Sequence, residues 1–79
     1  MYVKIKLFAS AKDRLQKDAV EISVPRNCTL KELYDCVSRD YPQFRTMVGR
    51  WAVNLELKTL DYMLRGDEEI AWIPPVTGG

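Results

Sequence analysis

The sequence predicts a small α+β domain: a mixed sheet with one main helix packed on one face and an extended C-terminal tail. Three observations predict it. Several short segments alternate apolar and polar residues with period two, the mark of half-buried strands. One segment, Leu30 to Tyr41, carries apolar residues at helical spacing behind a capping signal. The length, 79 residues, suits one domain that buries a little over ~60% of its unfolded surface around a modest core.

Residues 2–9 alternate, with Val3, Ile5, Leu7 and Ala9 on one side and Tyr2, Lys4, Lys6 and Phe8 on the other. This pattern predicts a strand. Ser10 to Asp18 is polar and charged and reads as a loop or a short helical turn, with Leu15 as its anchor. Residues 19–24 alternate again, Val20, Ile22 and Val24 against Glu21 and Ser23, until Pro25 removes the N–H a ladder needs. The two strands form an N-terminal hairpin. Thr29-Leu30-Lys31-Glu32 fits a capping box, and Leu30, Leu33, Tyr34, Val37 and Tyr41 follow along one helix face. Pro42 stops that helix near Asp40.

Residues 43–51 read either way: Phe44, Met47, Val48 and Trp51 have helical spacing, and Gly49 weakens it. Residues 52–57 alternate as a strand, with Val53, Leu55 and Leu57 on its core side. Lys58 to Leu64 is short and mixed. Arg65-Gly66-Asp67 is a turn in which Gly66 takes positive φ. Glu69 to Ile73 is a last strand, closed by Pro74-Pro75.

Composition removes several functions. Twelve Lys+Arg against eleven Asp+Glu leave a net charge of +1, too little for binding nucleic acid by phosphate neutralisation. With no His there is no imidazole base or metal ligand. Cys28 and Cys36 are too few for a disulfide scaffold or a zinc site, and read as reduced, partly buried thiols. The N-terminus lacks a signal-peptide apolar run, and no stretch approaches the ~20 apolar residues of a membrane span. A cytoplasmic protein without membrane contact is expected. Two residues break their strand's pattern: Phe8 shares a side with Lys4 and Lys6, and Ile73 shares parity with Glu69. Parity alone leaves two readings open, scattered surface apolars or a patch for a partner.

The end of the chain carries the chemistry. Beyond Glu69 no side chain is charged, and the chain runs through Pro74-Pro75-Val76-Thr77 to Gly78-Gly79. Residues 1–74 are expected to form the domain and 75–79 a thread reaching up to roughly 17 Å at ~3.3–3.6 Å per residue. A carboxylate on a thin, side-chain-poor arm can enter another protein's narrow pocket. It is a poor electrophile until an adenylate gives it a leaving group, after which a nucleophile takes the acyl carbon.

Gly66-Asp67-Glu68-Glu69-Ile70-Ala71-Trp72-Ile73-Pro74-Pro75-Val76-Thr77-Gly78-Gly79 resembles the ending of the MoaD family, the ubiquitin-like sulfur carriers that serve as molybdopterin synthase small subunits. Val3 to Ala9, with its Phe8-Ala9 pair, and Val53-Asn54 are similar to the family's first and middle strands. Ser38 to Arg50 matches poorly, and Glu69 is an extra acid or a one-residue slip. The resemblance implies a ubiquitin-like β-grasp fold. It implies that Gly79 is the reactive residue: adenylated with ATP by a ubiquitin-activating-type, MoeB-like enzyme, converted to a thiocarboxylate, then inserted into a MoaE-like large subunit. There the sulfur passes to cyclic pyranopterin monophosphate to build the molybdopterin dithiolene. Pro75, Val76, Thr77 and Gly78 would then be the tail-binding residues, and Phe8 and Ile73 large-subunit contacts. Leu57 is a weaker third contact, because its parity places it with the core. The chain would bind no cofactor and supply no general acid or base of its own. Two other readings share the terminal chemistry: a ubiquitin-like sulfur carrier for thiazole or tRNA thiolation, and a ubiquitin-like protein modifier joined to lysines.

Overall fold

The first alternating segment forms β1 (Tyr2–Leu7), buried at every second residue. In the computed structural model, which describes residues 1–75, it lies inside a five-stranded sheet of order β2-β1-β5-β3-β4. β1 pairs antiparallel with β2 (Ala19–Ser23), the expected hairpin, and parallel with β5 (Ile70–Ile73). β3 (Arg50–Val53) pairs antiparallel with β5 and with β4 (Glu56–Lys58). The sheet is therefore mixed, as expected for a β-grasp fold.

The first strand stops two residues sooner than its alternation predicts. Phe8 keeps extended geometry (φ −133°, ψ 154°) but serves as N-cap of α1 (Ala9–Leu15), a two-turn helix that bears out the short helical turn of the two readings the sequence left open. Ala9 is exposed at φ 49°, not on the buried side of β1. Ala11 and Leu15 face the core from α1, so Leu15 does anchor this segment.

The main helix, α2 (Leu30–Asp40), is the one the capping box specifies. Thr29 Oγ1 accepts from the Glu32 N–H at 3.2 Å, and the Thr29 N–H donates to Glu32 Oε1 at 3.0 Å. These bonds from the Thr29 backbone and side chain hold the Glu32 carboxyl below its usual range. Leu30, Leu33 and Val37 are fully buried against the sheet. The ambiguous stretch resolves into two pieces: a 3₁₀ helix over Pro42–Thr46 that buries Phe44, and the start of β3. Proline at the first position of the 3₁₀ helix loses no bond there.

The strand expected over 52–57 is a hairpin. Asn54 and Leu55, at φ 50° and 68°, make a two-residue turn between the paired Val53 and Glu56. Positive φ at both central residues is the type I′ pattern, whose twist suits a hairpin. The turn reverses the parity downstream: Leu57 pairs with Ala52 and is 56% exposed, not core-facing. Residues 58–64 are irregular but not featureless, because Leu64 is buried and its N–H donates to the Cys28 carbonyl at 2.8 Å. Gly66 takes φ 119°, the positive value expected of the turn.

Candidate functional site

Sheet registers place the three expected contact residues on one surface. Lys6 stands opposite Ala71, Ala71 opposite Ala52, and Ala52 opposite Leu57, so these four share the face turned away from α2. Ile73 lies on that face beside its cross-strand partner Arg50. Phe8 continues the β1 register past the Leu7–Trp72 pair and falls next to Ile73. Phe8 is 46% exposed and Ile73 half-buried. Ala52 and Ala71, at 8% and 9%, make a small-residue floor between these larger groups. The open face thus carries these apolar residues as one patch, not as scattered singles. Sequence parity missed Leu57 because the turn at Asn54-Leu55 has no glycine to announce it.

Charge rims the patch. Lys6 Nζ pairs with the Glu69 carboxylate, both half-exposed, and Arg50 is exposed beside Ile73. An exposed pair of this kind adds little stability.

Two polar devices hold β5, and with it the exit of the tail. Asn54 donates its backbone N–H to the Glu69 carbonyl and accepts the Glu69 N–H at Oδ1, both at 2.9 Å. The Val53-Asn54 pair thus clamps the residue before β5. Next to it, Glu68 accepts from the Arg65 and Gly66 N–H groups, each as close as 2.8 Å, and from the Tyr62 hydroxyl at 2.9 Å. Desolvation is the largest single influence on the Glu68 carboxyl and raises it. The bonds from Gly66, Arg65 and Tyr62 together outweigh it and leave the group below its usual range. The bond to Glu68 in turn pushes the Tyr62 phenol up.

The core side of β5 is anchored by Trp72, 4% exposed. Its ring centroid lies 4.8 Å from Trp51, 5.5 Å from Phe44 and 6.0 Å from Tyr34. Pro74 is half-buried and Pro75 exposed. Val76, Thr77, Gly78 and Gly79 lie outside the described residues.

The Cys28 thiol does not suit nucleophilic work. Cys28 is 1% exposed, and burial, aided by the Glu32 and Cys36 charges, pushes its thiol up to about 11. Its Sγ donates to the Thr29 carbonyl at 3.2 Å. Cys36 is free and half-buried on α2. No helix is long and apolar enough to cross a membrane among the described residues.

A model of the ThiS family matches residues 5–79. A molybdopterin synthase sulfur carrier subunit from Dictyostelium discoideum is 37% identical over 81 residues, covering 96% of this chain and 94% of that protein. The crystal structure of SAMP1 from Haloferax volcanii superposes with a TM-score of 0.86 over 100% of both chains, at 22% identity. A putative molybdopterin converting factor, subunit 1, from Pyrococcus furiosus gives 0.84 over 95% of this chain and 98% of its own, at 24%. Likenesses at those identities speak to the fold, which is the ubiquitin-like β-grasp. A complex of subunits 1 and 2 of molybdopterin-converting factor from Helicobacter pylori contains a chain matching 100% of this one, with all of its own length covered, at TM-score 0.69 and 26% identity.

Proposed function

The chain belongs to the ThiS family, and from that premise we propose that it is the sulfur carrier subunit of a molybdopterin synthase. The observation that carries the proposal is the conjunction at Ile73: the strand that leads to the diglycine ends inside the apolar patch formed with Phe8 and Leu57. A partner seated on that patch receives the tail at its own surface. The Dictyostelium relative supports the sulfur-carrier assignment, and the Helicobacter complex supports a MoaE-like large subunit as the partner.

The chemistry follows from the carboxylate. A MoeB-like adenylating enzyme joins the Gly79 carboxylate to AMP, releasing pyrophosphate from ATP. A sulfide equivalent attacks the acyl carbon and expels AMP, leaving a thiocarboxylate. With the tail inside the large subunit, that sulfur attacks a carbon of cyclic pyranopterin monophosphate, the carbon–oxygen bond there breaks with the oxygen taking up a proton, and a thioester joins tail to pterin. Water then hydrolyses the resulting acyl–sulfur bond, leaving sulfur on the pterin and restoring the carboxylate. Two such rounds supply both sulfurs of the dithiolene. Buried Cys28, held as a neutral thiol, takes no part.

The test is terminal. Deleting Gly79, or adding one residue after it, abolishes dithiolene formation when the chain is combined with adenylating enzyme, sulfur donor, large subunit and pterin precursor. Intact mass of the wild-type chain after loading shows one oxygen replaced by sulfur. Dithiolene formation by the deletion variant overturns the proposal.

A further inference from the structure

Gly49 precedes β3, and nothing in its backbone requires glycine: Gly66 alone among the described glycines has positive φ. Space is the reason instead. A Cβ at Gly49 would lie 2.6, 2.7 and 2.8 Å from Cε2, Cζ2 and Nε1 of Trp72, far inside van der Waals contact. The rigid indole packs against Trp51, Phe44 and Tyr34, so it gives way only by disturbing those contacts. Trp72 is next to Ile73 in β5, and Arg50, next to Gly49, is the cross-strand partner of Ile73. The contact therefore sits one residue from the Ile73–Arg50 pair on both strands, where the chain leaves the sheet towards Pro74.

We infer that Gly49 is a positioning residue for the C-terminal segment: its missing side chain lets Trp72 seat fully, and that seating fixes the end of β5 and the placement of Ile73. A Cβ there moves either the indole, and β5 with it, or the start of β3. Both shift Ile73 relative to Phe8 and Leu57. The effect on sulfur transfer rests on the sulfur-carrier reading, whereas the effect on Ile73 does not.

The experiment compares wild type, Gly49→Ala, Trp72→Phe and the double variant as full-length chains. In the free protein, amide NMR shifts of Ile73 and Arg50 and the cross-strand contact between them report placement. With the large subunit, single-turnover transfer from the thiocarboxylated chain reports function. Gly49→Ala is expected to shift both amides and slow transfer about tenfold, the scale of a sub-ångström misplacement. The smaller ring in the double variant is expected to restore shifts and transfer towards those of Trp72→Phe, even though its melting temperature stays below wild type. Recovery of transfer without recovery of stability separates positioning from mere destabilisation. Unmoved Ile73 and Arg50 shifts in Gly49→Ala, or a double variant no better than Gly49→Ala, overturn the inference. A wild-type chain that transfers no sulfur defeats the functional proposal instead, and the shifts still decide the role of Gly49.

Discussion

Glu68 shows how one side chain links a loop's fold to pH. Its carboxylate gathers two backbone N–H groups and a phenol that the Arg65–Glu68 turn would otherwise leave to water. Because its folded pKa lies below the ordinary 4.5, its contribution to stability is present above that value and is lost as pH falls through the folded one. Glu68→Gln is therefore expected to lower the melting temperature at neutral pH, with the difference from wild type shrinking as the solution is acidified below the carboxylate range. Melting curves from neutral to strongly acidic pH check this, and a gap that widens on acidification contradicts it. The sequence could mark Gly66 as a turn residue, but not that Glu68 closes the turn. That bond set depends on Tyr62, brought in by an irregular segment with no periodic signal.

Among the elements, α2 was legible and β4 was not, and the reason is the presence or absence of local chemistry. Thr29 and Glu32 lie three residues apart and bond to each other, so the helix start is written within four residues. The β3–β4 turn is written in Asn54 alone, followed by a leucine where glycine would relax the backbone. An unbroken alternation then reads as one strand and puts Leu57 on the wrong face. Leu55 holds φ 68° with 89% of its surface exposed, so strain is offset by little burial. Leu55→Gly is expected to stabilise the protein by about 0.5–1 kcal/mol, the left-handed penalty less the added freedom of the unfolded glycine. The urea midpoint measures it, and a lower midpoint contradicts the turn assignment. The short helical turn that the sequence left open against a loop is the two-turn α1, and nothing local decided between them because Phe8 at its N-cap makes no side-chain capping bond.

For the whole molecule, the site is a property of register. Phe8 and Ile73 are 65 positions apart, and only the parallel β1–β5 pairing makes them neighbours. Their broken parity hinted at this, while Leu57, named by the family resemblance but assigned by parity to the core, reaches the same face through the hairpin. Phe8→Asp is expected to weaken large-subunit binding at least about tenfold, as removal of a central apolar contact does. It is expected to leave the melting temperature no lower, because Phe8 is half-exposed and aspartate is a favoured N-cap. Calorimetric titration and thermal unfolding together test this, and unchanged affinity removes Phe8 from the interface.

The same pairing bears on biogenesis. β5 runs between β1 and β3, so the strand nearest the C-terminus occupies the middle of the sheet. A polypeptide still being synthesised holds β2-β1 and β3-β4 as separate ribbons with nothing to bridge them. Closure waits for the final strand to clear the ribosome, and such distant pairings form slowly. A chain cut short before Ile70 therefore lacks the strand that brings Phe8 and Leu57 onto one sheet.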